Sequence, residues 1–261
     1  MIEKIIKDFD IKQIADSGQC FRILSLSDNV WEVIAFRKKL LINKIGNDQY
    51  KFHCDEHEFQ SIWSNYFDLQ TNYEKIKNDI KKFNDPYLNE AIKYGFGIRI
   101  LHQDLWEMIV SFIISQRNNI PRIKSTIDKI CNPYDGFFPS PEDLVKYSEL
   151  DFINLGLGYR SKYIFDISRS ILDGKLNLST LKNLSTEESI NYLKTFNGIG
   201  IKVANCIALF GLYKIDAFPI DVWIQRIIDK KYNGNFSIDK FKGYAGIVQQ
   251  YMFFYQKSLG K

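Results

Sequence analysis

The chain has 261 residues, enough for one large domain or two modest ones, and its 45% hydrophobic and 25% charged composition is that of an ordinary soluble globular protein. Lys and Arg total 35 against 31 Asp and Glu, and this net charge of +4 is too weak to argue for nucleic acid by itself. Cys20, Cys54, Cys131 and Cys206 lie far apart with no C-x-x-C pair, so zinc and iron–sulfur ligation are unsupported. The N-terminus is too charged for a signal peptide, and no apolar run approaches the ~20 residues that span a bilayer. These features point to a reducing, intracellular setting without a membrane.

The first third reads as strands. Val30 to Phe36, Lys39 to Ile45 and Gln49 to His53 are short, β-branched or aromatic, and turn-like Ser-Asp-Asn and Gly-Asn-Asp clusters separate them. From about Phe59 the period changes. Leu101, Leu105, Met108, Ile109, Phe112 and Ile113 recur at helical spacing. The loop and helix that follow, Gln116 to Cys131, carry Arg117, Arg122, Lys124 and Lys129 against Asp128 alone, a local basic face within a nearly neutral chain. Further helices are predicted at 121–131, 141–149, 161–173, 186–195, 201–212, 222–231 and 239–257, with Gly136, Pro139, Gly156, Gly158 and Pro219 between them. The fold class is therefore α+β: an N-terminal antiparallel sheet domain over 1–90, then a larger all-helical domain over 91–261.

The most informative stretch is Leu193 to Tyr232, in which a helix ends, turns at Gly198-Ile199-Gly200 and restarts at Ile201, a hairpin over 193–212. Two glycines permit a sharp turn and leave room for another molecule to approach. Backbone N–H groups at the restart point outward and suit a phosphate. By itself this is more often a compact helix connection than a site. Lys202, however, sits where the helix dipole disfavours a cation. Asp221 follows 19 positions later, after Pro219 and Ile220 and ahead of the run VWIQRIID, where an aspartate is also a good N-cap.

Hairpin, lysine and Asp in a Pro-containing loop together resemble the helix-hairpin-helix glycosylase superfamily. By that resemblance Lys202 is the attacking amine and Asp221 the essential carboxylate. The residue types suit the chemistry: breaking an N-glycosidic bond builds positive charge on the sugar, which a carboxylate stabilises. A neutral lysine amine attacks the anomeric carbon and forms a Schiff base.

Dispersed segments resemble the 8-oxoguanine DNA glycosylases within that superfamily. Ser17-Gly18-Gln19-Cys20-Phe21-Arg22 is similar to the family's SGQ-x-FR segment, whose glycine carbonyl, here Gly18, accepts the N7 proton that 8-oxoguanine has and guanine lacks. Ser111-Phe112-Ile113 through Asn118-Asn119-Ile120-Pro121-Arg122-Ile123 resembles SFI…NNNIxRI, and Leu155 to Arg160 resembles the LGxGYR turn. Tyr244-Ala245-Gly246 with Gln249 and Phe253 resembles YAGxxQxxxF. The resemblance implies that Gln249 reads the Watson–Crick edge of a flipped lesion. Phe253 and Cys206 would hold its two faces beside Pro219. It further implies that Tyr159 is the wedge, that Arg122 and Arg160 meet the orphaned cytosine, and that Asn118, Asn119, Gly198 and Gly200 face the DNA. The implied partner is duplex DNA containing 8-oxoguanine, bound by a monomer without metal or other cofactor.

Two positions depart from the family pattern. Arg117 replaces the first Asn of NNN, which puts strict preference for cytosine opposite the lesion in doubt. Trp223 stands where many relatives have a histidine near the DNA backbone. Among competing interpretations, relatives that remove alkylated bases usually lack the hairpin lysine. A non-catalytic hairpin module would leave Asp221 and the dispersed pocket residues without a purpose.

Overall fold

The computed structural model describes residues 1–260. Five strands, β1 (Ile2–Ile5), β2 (Ile23–Ser27), β3 (Val30–Ala35), β4 (Lys38–Lys44) and β5 (Gln49–Phe52), form one antiparallel sheet in the order β1-β5-β4-β3-β2. The three predicted strands are β3, β4 and β5. Alternation is what drives them: Trp31, Val33, Leu40, Ile42, Tyr50 and Phe52 are all buried, while their neighbours along each strand are more exposed. The buried side carries an aromatic cluster in which Phe9 meets Tyr50 edge-on at 4.9 Å and Phe52 meets Phe59 at 4.8 Å. The two strands the sequence did not disclose are the edges. β1 is four residues long and pairs Ile2 with Phe52, and β2 is broken by a bulge between Ser25 and Ser27. The β3–β4 turn places Phe36 (φ 50°) and Arg37 (φ 57°) in left-handed backbone without the usual Asn or Gly.

Helix α1 (Ile11–Asp16) follows β1 and is capped by Asp10, whose carboxylate accepts from Gln13 N at 3.0 Å. Helices α2 (Tyr73–Lys81) and α3 (Pro86–Tyr94) follow the sheet. Between them and the sheet lies a buried polar knot. The Arg99 guanidinium donates to the carbonyls of Lys7, Asp8, Asp68 and Thr71. Asp68 accepts from Thr71 Oγ1 (2.7 Å), Tyr73 Oη (2.8 Å) and Tyr213 Oη (2.6 Å), with His102 Nε2 at 3.5 Å. Burial works to raise the Asp68 pKa, but hydrogen bonds from His102, Tyr213, Thr71 and Tyr73 together outweigh it and hold the carboxyl below its ordinary value. Stability from this group is therefore present at neutral pH and is lost as pH falls below the ordinary aspartate value of about 3.9 and through the lower folded one. Asp68→Asn is expected to lose about 2–4 kcal/mol in urea denaturation at pH 7, and distinctly less at pH 3.

The helical middle begins with α4 (Leu105–Ile114), every residue of which is buried. It is followed by α5 (Ile120–Cys131), α6 (Arg160–Leu172), α7 (Thr186–Leu193) and α8 (Ile201–Phe210), and α4 packs on α5, α6 and α8. The predicted helix at 141–149 is two short ones, Pro141–Leu144 and Glu149–Asn154. Separate capping boxes, Ser140 with Asp143 and Ser148 with Asp151, restart the chain. The chain ends in α9 (Val222–Tyr232) and α10 (Ala245–Leu259). α10 starts later than the predicted 239, because a 3₁₀ turn at Ile238–Phe241 and Gly243 at φ 92° intervene.

Two compact units result. One comprises Met1–Ile34, Lys39–His102 and the C-terminal segment from Tyr213; the other comprises Ala35–Lys38 and Gln103–Leu212. This partition differs from a single cut near residue 90, because the last helices return to the sheet's unit. There α10 packs along α3 and α9 along α10, Tyr94 meets Phe254 at 5.1 Å, and Gly246 N donates to Ile215 O at 2.7 Å. The chain leaves this unit at His102 and re-enters it at Tyr213, two rings stacked 3.7 Å apart.

Candidate active site

In the helical unit, the hairpin is α7, the turn and α8. The two turn glycines serve different ends. Gly198 lies at φ 83°, and a Cβ there would come within 2.3 Å of Tyr163 Cγ, so only glycine fits on both conformational and steric grounds. Gly200 has φ −83°, open to any residue, and a Cβ would meet nothing within 4 Å. Its bareness is what matters: as N-cap of α8 it supplies no capping side chain, so the first N–H groups of the helix stay open. The turn lines a shallow depression of about 480 Å³ together with Gln116 and Lys194–Asn197. Gly198→Ala is expected to cost about 3 kcal/mol by overpacking and left-handed strain, and Gly200→Ala about 1 kcal/mol or less. Thermal melting of the two variants checks the difference.

Lys202 lies half-buried in the first turn of α8, its ammonium 5.6 Å from the centre of the Phe112 ring. It makes no ion pair with any acidic group among the described residues. Phe112 is itself held by stacking on Phe210 at 5.3 Å. Cys206, one turn along α8 from Lys202, is buried.

The loop after α4 is organised by Gln116, a residue the sequence reading passed over. Its side-chain Nε2 donates to Gly198 O at 2.8 Å, and its own carbonyl accepts from Arg160 Nε (3.0 Å), Arg160 Nη2 and Tyr159 Oη (3.4 Å). Its only sequence signal is adjacency to the Arg117-Asn118-Asn119 run. Arg160 is buried and also donates to the carbonyls of Leu157 and Arg117, so its guanidinium serves the loop backbone rather than solvent. Asn119 caps α5 by accepting from Arg122 N at 3.0 Å, and Asn118 accepts from Asn119 N and donates to Ile114 O. Arg117 and Arg122 are exposed, and Arg117 sits at φ 46°. Gly156 (φ 89°) and Gly158 (φ 54°) form the turn that presents Tyr159, a 52% exposed aromatic. The structure thus brings Gln116, Gly198, Tyr159 and Arg160 into one hydrogen-bonded group.

In the sheet's unit, Gly18 lies at φ 81° between two pinned neighbours. Ser17 Oγ donates to Ile14 O, while Gln19, fully buried, donates to Arg99 O and accepts from Leu101 N. Asp221 is the N-cap of α9: its Oδ1 accepts from Trp223 N at 3.0 Å and Ile224 N at 2.9 Å. Its Oδ2 accepts no hydrogen bond among the described residues. The carboxylate therefore caps the helix and keeps one oxygen in hand, so capping and chemistry are not alternatives here. The Gln249 amide is buried, donating to Pro219 O at 3.1 Å and accepting from Gln250 Nε2 at 3.2 Å. Half-buried Phe253 lies one turn farther along α10. Among the described residues, no group of three His, Cys, Asp or Glu side chains could hold a metal ion, and no helix is long and apolar enough to cross a membrane.

Residues 1–109 match the profile of the 8-oxoguanine DNA glycosylase N-terminal domain, and residues 110–239 that of HhH-GPD superfamily base excision DNA repair proteins. The 8-oxoguanine glycosylase/lyase of Clostridium acetobutylicum, solved with duplex DNA bearing cytosine opposite the lesion, superposes with a TM-score of 0.90. It is 36% identical over 98% of this chain and 94% of that one. The chain belongs to the 8-oxoguanine DNA glycosylase family. A second member of the family, MBOgg1 in complex with a low-affinity DNA ligand, superposes with a TM-score of 0.91 at 39% identity, covering 98% and 94% of the two chains. The N-glycosylase/DNA lyase of Saccharomyces cerevisiae is 35% identical over 158 residues, 52% of this chain and 42% of that relative, so the matched part is about two fifths of the yeast protein's length. The family assignment and the α+β fold expected from the sequence both stand.

Proposed function

We infer that this member of the 8-oxoguanine DNA glycosylase family excises 8-oxoguanine from duplex DNA and nicks the resulting abasic site, acting inside the cell as a monomer without a metal. The observation that carries this reading is Lys202: a half-buried amine in the first turn of a helix with a bare glycine cap, paired with no described acid.

In the reaction, the neutral amine attacks the anomeric carbon of the damaged nucleotide, and the glycosidic bond breaks with its electron pair going to the departing base. Ring opening gives a Schiff base, loss of the C2′ proton follows, and the 3′ phosphate leaves by β-elimination. The Asp221 carboxylate supports positive charge developing on the sugar, a role its uncommitted Oδ2 suits. Gly18, Cys206, Pro219, Gln249 and Phe253 each serve base recognition in this reading. Tyr159 is the wedge, with Arg117, Asn118, Asn119, Arg122, Arg160, Gly198, Gly200 and Trp223 serving the DNA. Arg160 does so by fixing the loop through Gln116 and Arg117.

The test is a labelled duplex with 8-oxoguanine opposite each of the four bases, with borohydride added to trap the Schiff base. Nicking and a covalent complex are expected. Arg117 narrows the preference for cytosine, and Arg117→Asn should widen it. The same change should stabilise the fold by up to about 1 kcal/mol, since Asn tolerates the φ of 46° better. No nick and no trap with any partner base would overturn the assignment.

A further inference from the structure

Helix α9 carries Trp223, Arg226 and Lys230 at positions i, i+3 and i+7, which one helical face presents together, with Lys231 at its margin. With Gln256, Leu259 and Gly260 at the end of α10 they line a second depression, of about 330 Å³, within the sheet's unit. Its floor is shaped for the indole: a Cβ on Gly260 would come 2.9 Å from the Trp223 ring. The Arg226 guanidinium lies 5.2 Å from the centre of that ring. Arg226, Lys230 and Lys231 are exposed, and none pairs with an acidic group among the described residues. Asp229, the acid of this helix, accepts from Gln225 instead. The helix dipole accounts for Lys230 and Lys231 in the last turn, but not for Arg226 in mid-helix.

We propose that this depression is a DNA phosphate site, additional to the residues that read the base and cut the strand; it rests on the excision reading above. Three unpaired cations spread over the last two turns of the helix, rather than converging on one point, suit a polyanion with spaced charges. From Arg226 to Lys230 the charged stripe runs about 6 Å. A DNA strand presents its phosphates as a regular row of single charges, which cations spaced along the helix can meet in succession. The face begins at Trp223, two residues beyond Asp221, and so would guide the backbone away from the damaged nucleotide. Trp223 supplies a flat apolar wall with one N–H donor.

The experiment compares duplex binding by the parent, by Arg226→Gln/Lys230→Gln/Lys231→Gln, and by a control of equal charge loss, Lys75→Gln/Lys81→Gln/Lys93→Gln, on exposed positions of α2 and α3. Each is titrated against salt, with melting curves to confirm folding. The α9 variant should flatten the plot of log K against log salt by about 2–3 units of slope, at about 0.9 per lost phosphate contact, and bind at least about tenfold more weakly near 0.1 M salt. The control should move little. An unchanged slope in the α9 variant, or an equal change in the control, overturns the proposal. Borohydride trapping of the parent separates the two claims. Trapping with unchanged slopes removes this site and leaves the excision reading, whereas a flattened α9 slope without trapping does the reverse.

Discussion

Lys202→Gln should abolish nicking and borohydride trapping, lowering the rate of strand cleavage by about ten-thousand-fold or more while leaving duplex binding nearly intact. The expectation rests on the isolation of this side chain. It pairs with no described acid, so removing its charge orphans no partner. The amine's contact with the Phe112 face is worth about 0.5–1 kcal/mol, and relief of a cation from a helix N-terminus returns about 0.3–1 kcal/mol. Stability should therefore change by less than about 1 kcal/mol, with either sign. Loss of the borohydride-trapped complex at constant melting temperature is the signature of the nucleophile. Single-turnover nicking and thermal melting measure both, and nicking by the variant at more than about a hundredth of the parent rate would remove Lys202 from the chemistry.

Asp221→Asn separates the two duties of that carboxylate. Asparagine caps helices about as well as aspartate, and its oxygen can still accept from Trp223 N and Ile224 N, so the variant should fold with nearly parental stability. The charge is gone, and base release should fall about 10²- to 10³-fold. Asp221→Ala should show a comparable activity loss together with about 1 kcal/mol of destabilisation from the lost cap. Base release followed in single turnover decides the matter. If the asparagine variant works at the parent rate, Asp221 is a cap and nothing more.

Much of this was legible in the chain itself, for identifiable reasons. β3, β4 and β5 announce themselves because one face is buried and the pleat repeats every two residues; β1 does not, because a four-residue edge strand needs only β5 to exist. Gly198 could be read as suited to a sharp turn, but its steric partner Tyr163 could not, since the two meet only in the fold. The turn at Phe36 and Arg37 adopts left-handed dihedrals with residues that give no warning of it. The return of α9 and α10 to the sheet's unit rests on contacts with α3 well over a hundred residues away, which no local periodicity encodes. The segments that carry the family resemblance, by contrast, were visible because each shows particular residue types locally. Gln116 escaped because it works through a main-chain carbonyl and a generic amide.

That residue has a mechanical consequence. Gln116 is tied on one side to the Gly198 carbonyl and on the other to Arg160 and Tyr159, so it joins the hairpin to the Tyr159 turn, beside the packing of Tyr163 on Gly198. A pull on the hairpin stretches the hydrogen bond from the Gln116 amide to Gly198 or is handed on toward the aromatic ring. By reciprocity, if the Tyr159 ring seats in a duplex, that seating and binding at the hairpin change each other's affinity by the same factor. Grip on the sugar–phosphate chain and probing of the base stack would then be two ends of one lever, with an unremarkable glutamine as its pivot.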